Sequence, residues 1–244
     1  MHTALLRLVV SGSFILMSYA LCQRGVPKRS RRIAIALNST YRRPLKELDQ
    51  LVQSCLWVLI LPLVCICTLF ILRVKPSQLV DANVRTILLS YGVLVGLGEA
   101  SVGRLLCYIA LSLPWFSSHL ARRTRLNEEA GSEVARWHTL GQKGLARFAV
   151  LTVIAFLLAA VEEIMLRGAM IAAAPTTSKI PTVAFCVVLS LLAQRFGNTA
   201  SRNVLFSLIG TSVSAPIHGL LFLVIPDIRP LIIADLTVCL STLF

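Results

Sequence analysis

Residues 147–174 read RFAVLTVIAFLLAAVEEIMLRGAMIAAA. This run is long enough to cross a bilayer, because a spanning helix needs about 20 mainly apolar residues. Similar runs recur along the rest of the chain, at residues 4–22, 55–72, 86–115, 180–196, 203–225 and 230–244. We therefore predict an all-α protein, a polytopic membrane helix bundle of about seven transmembrane helices.

The composition agrees with a membrane protein. Hydrophobic residues make up 56% of the 244 positions and charged residues only 14%, which is too little polar cover for a soluble domain of this size. The apolar runs leave no room for a separate soluble domain. We predict N-terminal transmembrane helices with basic cytoplasmic loops over residues 1–146 and a membrane core over residues 147–244.

The basic residues indicate an orientation. The net charge is +13, but the cations lie between apolar runs and form no basic face interleaved with aromatic residues, so nucleic-acid binding is not expected. The 23–54, 116–147 and 195–202 segments hold sixteen Lys and Arg residues, and the alternate segments hold six. Because cytoplasmic loops collect cations, the amino terminus is predicted outside and the carboxyl terminus in the cytoplasm. Within the first loop, residues 45–52 are predicted to form an amphipathic helix on the membrane surface.

The seven cysteines do not indicate a metal or disulfide framework. They include no Cys-x-x-Cys pair, and nearly all lie inside apolar runs. We interpret them as small buried hydrophobes and expect neither a metal nor a cofactor.

The chemically informative residues are the charges inside the 147–174 run. Each ionised side chain at membrane depth costs about 2.5–3.5 kcal/mol on insertion scales, so such groups face an interior or a watery cavity. Glu163 and Arg167 are four residues apart on a helix and are expected to pair. Glu162 is rotated by about 100° from Glu163 and has no cation on its own face.

Two interpretations of these charges follow. In the functional one, Arg167 neutralises Glu163 and braces the helix, whereas desolvation makes Glu162 a base that accepts a proton from water. In the structural one, all three charges hold helices together or contact headgroups at the interface. Composition and spacing do not decide between them.

The segment Glu162-Glu163-Ile164-Met165-Leu166-Arg167-Gly168 resembles the E-E-x-x-x-R-G motif of the CPBP family, the CAAX prenyl protease type II and bacteriocin-processing intramembrane proteases. The resemblance covers roughly residues 145–244. It implies an all-α membrane bundle enclosing a polar cavity and an endopeptidase acting on membrane-anchored or lipidated peptides. Glu162 would then activate water, with Glu163 and Arg167 as its supporting pair.

Two further family motifs are altered. Where the second motif would have Phe and His, the chain has Ala193 and Gly197. Where the third would have His and Asn, the chain has Asp235 and Cys239. Hydrolysis also needs a donor for the developing oxyanion. The candidates for that donor are Arg167, Gln194, Asn198 and His218.

His218 is the one histidine inside a predicted span. It would face Glu162 and form an acid–base pair, or it would hydrogen-bond a neighbouring helix with no other role. Asp235 is predicted to line the same cavity.

Glu99 and Arg104 are charges within the third predicted span. Glu99 is expected to act as a structural brace, pairing with Arg167 or with Arg104. The spacings Gly96-x-Gly98 and Gly92-x-x-x-Gly96 permit close helix contact. The length of this run, with the charges inside it, suggests that the helix is kinked, tilted or broken at Gly96, Gly98 and Gly103.

Three functions remain open from the sequence. The first is the intramembrane endopeptidase, with membrane lipids and a membrane-anchored peptide or protein substrate as partners. The second is a catalytically inactive protein of the same fold that serves as a membrane partner or regulatory subunit, as the altered motifs suggest. The third is a small transporter in which the glutamates relay protons or bind a cation.

Overall fold

The computed structural model describes residues 2–41, 45–81, 86–113, 145–197 and 201–241. The structured elements in these ranges are helices, and no strand occurs among them. A π-helical turn covers Ile164–Gly168, and 3-10 turns cover Pro76–Gln78 and Thr176–Ser178. The α-helices are α1 (His2–Tyr41), α2 (Leu45–Leu72), α3 (Thr86–Ser112), α4 (Leu145–Glu163), α5 (Ala169–Ala173), α6 (Lys179–Gly197), α7 (Ser201–Val224) and α8 (Arg229–Ser241).

Several of these helices can cross a membrane. Within the described residues, five segments are long and apolar enough: Thr3–Asn38, Leu51–Leu72, Leu89–Ala110, Thr176–Arg195 and Ser207–Val224. The chain is therefore an all-α protein with the helices of an integral membrane protein. The predicted 116–147 loop falls almost entirely outside the described ranges.

The helices pack as neighbouring pairs around an apolar core. The pairs are α1 with α2, α3 with α8, and α6 with α7. The π turn and α5 lie in the centre, where Met165 and Met170 are fully buried. At one end of the bundle, the Ile228 N–H donates to the carbonyl of Leu79 at 2.9 Å, which joins the segment before α8 to the segment before α3.

The predicted loop at residues 23–54 is largely helical. The α1 helix has 40 residues and is about 60 Å long, twice the thickness of the hydrocarbon core. Its later part buries Val26, Ser30 and Ala34 at four-residue spacing against α2. The Ser30 hydroxyl donates a hydrogen bond to Asp49 Oδ1 at 2.5 Å. The two helices thus form a hairpin that continues past the predicted span.

The separate surface helix predicted at residues 45–52 is wrong. These residues are the first turns of α2, and Leu48 is 6% exposed. The α1 helix supplies the apolar surface that the membrane was expected to supply.

Of the predicted kink, tilt or break in the third span, the break is wrong, because α3 is one continuous helix. A Cβ at Gly92 would collide with the carbonyl oxygen of Pro230, and one at Gly96 with that of Ala234. The predicted close contact at these two glycines is therefore confirmed, with α8 as the partner. The predicted close contact at Gly98 is wrong, because Gly98, like Gly103, faces open space.

Candidate functional site

The two predicted acidic residues end α4 just before the π turn. In this turn the Ala169 N–H donates to the carbonyl of Ile164, which widens the helix by one residue. Such π turns interrupt α-helices frequently at functional sites. Glu162 and Glu163 thereby lie at a local irregularity in the centre of the bundle.

Glu163 forms the buried ion pair that the sequence predicts. Arg167 Nη1 donates to Glu163 Oε1, and the two residues are 5% and 1% exposed. Among the described residues, Glu163 Oε2 and Arg167 Nε have no hydrogen-bond partner. The pair is confirmed, and each member keeps one polar atom that protein groups leave unsatisfied.

His218 of α7 lies between two carboxylates and is fully buried. Its Nε2 is hydrogen-bonded to Glu99 Oε2 at 3.1 Å. Its Nδ1 lies 3.1 Å from Glu163 Oε1, although the angles there are not those of a hydrogen bond. Of the two predicted contacts of His218, the one with Glu162 is wrong, and the hydrogen bond to a neighbouring helix is confirmed. Glu163 takes the place of Glu162 because adjacent helical residues point about 100° apart.

Glu99 of α3 braces the bundle through a partner that was not expected. It contacts His218 rather than Arg167 or Arg104. Arg167 is engaged by Glu163, and Arg104 Nη2 donates to the carbonyl of Ser241 at the end of α8. Glu99 thus links α3 to α7 through a buried hydrogen bond.

Glu162 faces α1. The Tyr19 hydroxyl donates to Glu162 Oε1 at 2.7 Å, and no group in the described ranges donates to Oε2. Glu162 is half-buried, whereas Tyr19 is 5% exposed and its ring lies 5.8 Å from that of Trp57. Tyr19 was not among the predicted site residues. Its signal was a phenol inside an apolar span, since a buried Tyr hydroxyl usually finds a partner.

Asp235 of α8 completes the group and is half-buried. It is close enough to interact electrostatically with Glu163, His218 and Arg167, and also with Glu162. The structure therefore brings all five predicted site residues together, and it adds Tyr19 and Glu99. We call these seven residues the polar cluster: Tyr19, Glu99, Glu162, Glu163, Arg167, His218 and Asp235.

Of the altered motif positions, Asp235 belongs to the polar cluster and Ala193 does not. Ala193 is buried in the apolar core. Gln194 Oε1 accepts a hydrogen bond from the Ser207 hydroxyl at 2.6 Å, which ties α6 to α7. Asn198 lies outside the described residues, and Cys239 is half-buried on α8. Of the predicted oxyanion donors, Arg167 and His218 are the ones that the structure places beside Glu163.

The polar cluster contains more acid than base. Its four carboxylates face one guanidinium and one imidazole, and a fully ionised set would be costly inside a bilayer. Protons shared among the acids would lower that cost, as happens when like charges occupy one site. Within the ranges described, no group of three or more His, Cys, Asp or Glu side chains is arranged to hold a metal ion. The cluster is suited to proton transfer.

Comparisons with known proteins give no further guide. No protein-family model, no curated protein and no solved structure matches the chain.

Proposed function

We propose that this chain is an intramembrane endopeptidase-like hydrolase of the CPBP type, in which Glu162 activates water. The observation that supports the proposal is the arrangement of Glu162. One of its oxygens is fixed by Tyr19, the other accepts no hydrogen bond from the described residues, and the side chain is half-buried within the polar cluster.

The chemistry follows from that arrangement. Glu162 takes a proton from water, and the water oxygen attacks the carbonyl carbon of the scissile peptide bond. Negative charge develops on the carbonyl oxygen of the tetrahedral intermediate. The proton on Glu162 then passes to the departing nitrogen as the C–N bond breaks, which leaves a carboxylic acid and an amine.

Arg167 is the best candidate for the oxyanion donor. Its Nε has no partner among described groups, and its Nη1 is held in place by Glu163. Both nitrogens of His218 face carboxylate oxygens instead. A preorganised donor of this kind contributes about 10²–10³ in rate. Glu163 and His218 would then act as positioning residues.

The substrate class follows from the location of the site among membrane-length helices. A peptide reaching the polar cluster would come from a membrane-anchored protein or a lipidated carboxyl terminus. The proposal includes about seven spans, an external amino terminus and a cytoplasmic carboxyl terminus, for which the distribution of cations argues. Reporter fusions at both termini test this orientation, and two termini on the same side would overturn it.

The test of activity uses the purified full chain in nanodiscs with a library of membrane-anchored peptides. Cleavage is read by mass spectrometry. Glu162→Gln should lower the cleavage rate at least about 10²-fold, because it removes the general base and keeps the shape. Asp49→Asn is the matched control, since it makes the same acid-to-amide change at the α1–α2 hairpin, and it should cleave like the unmodified chain.

Other outcomes would favour the rival functions. Absence of cleavage across the library would favour an inactive membrane partner, for which the carboxylates on both sides of His218 and the changes at Ala193 and Gly197 already argue. Proton flux in liposomes that depends on Glu163 would instead favour a transporter.

A further inference from the structure

The later part of α1 carries a one-sided set of cations. Arg24, Lys28, Arg31 and Arg32 are all exposed, and at 100° per residue they fall within an arc of about 100°. We call these four residues the basic face. The side of α1 that packs on α2 is turned away from it and holds the buried residues Val26, Ser30 and Ala34.

The basic face has no acidic partner within the parts of the chain that are described. None of its four residues has an ion pair there. Helix α1 contains no acid. Asp49 of α2 is engaged by the Ser30 hydroxyl on the packed side of the helix. The positive charge is therefore available to a ligand from outside the hairpin.

The span predicted from the sequence, residues 4–22, places the basic face next to the membrane. The basic face begins two residues past Cys22, where the predicted span ends, and extends to ten residues past it, about 3–15 Å along the helix axis. Headgroups occupy about 5–8 Å beyond the hydrocarbon core, and the surface potential falls off over about 8 Å. Ile35 projects from the same side and is 55% exposed. Apolar and basic side chains on one face are typical of helices at a membrane interface.

We infer that the basic face is a docking surface for the headgroups of anionic phospholipids. Each Lys or Arg near an anionic surface strengthens binding by about 1 kcal/mol, which is about five-fold. The basic face of α1 would then contact the headgroups, while the opposite side of α1 stays packed on α2. This inference does not depend on the proposed hydrolase activity.

The experiment measures lipid selectivity of the full chain. The protein is reconstituted in phosphatidylcholine vesicles with a trace of spin-labelled phosphatidylglycerol or spin-labelled phosphatidylcholine, and the motionally restricted fraction of each probe gives their relative association constant. The unmodified chain should prefer phosphatidylglycerol, and the preference should fall as salt is added. Changing all four residues of the basic face to Gln should remove most of it, and Arg31→Gln alone should lower it up to about five-fold.

A second set of changes controls for net charge. The control uses four cations from the segments that hold few of them, and changing these four to Gln removes the same charge: Arg7, Arg73, Lys75 and Lys179. The inference is overturned if this control loses as much preference as the basic-face variant, or if the basic-face variant keeps its preference. The inference is also overturned if soluble polyglutamate binds the basic face of the unmodified chain and the preference for phosphatidylglycerol stays the same as without polyglutamate. The partner of the basic face would then be an acidic peptide. Circular dichroism verifies that each variant folds. If the fourfold variant does not fold, Arg31→Gln alone is used to test the inference.

Discussion

Two acid–arginine pairs in this protein join a buried carboxylate to a cation in opposite surroundings. The Glu163–Arg167 pair lies in the centre of the bundle, with side chains 1% and 6% exposed. The Asp227–Arg229 pair lies in the turn between α7 and α8, where Asp227 is fully buried but the Arg229 side chain is 39% exposed. Only the second arginine can return to water when its partner is lost. The consequence of breaking a pair should therefore depend on where the remaining charge can go.

The pair at the turn is also satisfied more completely. Asp227 accepts hydrogen bonds from the backbone N–H of Asp81 at 3.1 Å and of Arg229 at 2.8 Å, as well as from the Arg229 guanidinium. Arg229 in turn donates to the carbonyl of Asp81 at 2.8 Å. The central pair leaves Glu163 Oε2 and Arg167 Nε without partners among the described residues. The hydrogen bonds of the Asp227–Arg229 pair stabilise the turn, whereas the central pair keeps two polar atoms that can bind a ligand or water.

The largest expected effect comes from Arg167→Gln. This change leaves the Glu163 carboxylate without its cation in a buried site, which should lower the free energy of unfolding by about 3–5 kcal/mol. The matched change at the turn, Arg229→Gln, should cost less because Asp227 keeps its backbone donors. Steric trapping in nanodiscs measures both. The double variant Glu163→Gln/Arg167→Gln should recover much of the loss, and equal losses in the two single variants would contradict the comparison.

These two pairs also show what the sequence could predict. The Glu163–Arg167 contact could be predicted from the sequence because it spans one helical turn. The contacts Tyr19–Glu162 and Glu99–His218 join residues 143 and 119 positions apart, so they depend on which helices become neighbours. A pattern of hydrophobicity predicts which segments span the membrane, but it does not predict which helices pack together. The charges inside the spans predict a polar interior, but they do not predict which side chains contact each other there.

The α1–α2 hairpin was missed for a different reason. Its charges are typical of a loop between spans, although Val26, Ser30 and Ala34 repeat at helical spacing. The basic residues occupy the other side of the same helix, and Pro27 lies within it without ending it. A charged segment next to a span therefore need not be irregular when its small residues can pack on a second helix.

An intermediate effect is expected from His218→Leu, which tests a second buried contact in the centre of the bundle. The change removes the group between Glu99 and Glu163 and leaves the buried Glu99 carboxylate with no hydrogen-bond partner among the described residues, whereas Glu163 keeps Arg167. The free energy of unfolding should fall by about 2–3 kcal/mol, because an unsatisfied buried polar group costs about 1–3 kcal/mol and a charged one more. Thermal unfolding in nanodiscs, followed by circular dichroism, measures the change.

The control for this prediction is Glu99→Gln. The glutamine Oε1 can still accept a hydrogen bond from His218 Nε2, so this variant should lose clearly less stability than His218→Leu. Combining Glu99→Gln with His218→Leu should cost less than the sum of the two single losses, since the changes affect one contact. Additive losses would show that His218 stabilises the bundle by packing alone.

The smallest effect is expected at the turn, and it depends on pH. Burial alone would raise the pKa of Asp227, but hydrogen bonds from the Arg229 side chain and from two backbone N–H groups lower the pKa below its ordinary value. An acid with a lowered pKa in the folded state stabilises the fold above its unfolded pKa of about 3.9, and this contribution is lost as the pH falls through the folded pKa. Asp227→Asn should therefore lower stability by about 1 kcal/mol at neutral pH. The difference between the variant and the unmodified chain should shrink below about pH 4.

The measurement is thermal unfolding in nanodiscs between neutral and acidic pH. Because the buried carboxylates of the polar cluster are the same in both proteins, they cancel in the difference, and a difference that stayed constant down to the lowest pH would show that Asp227 holds the turn by shape rather than by charge.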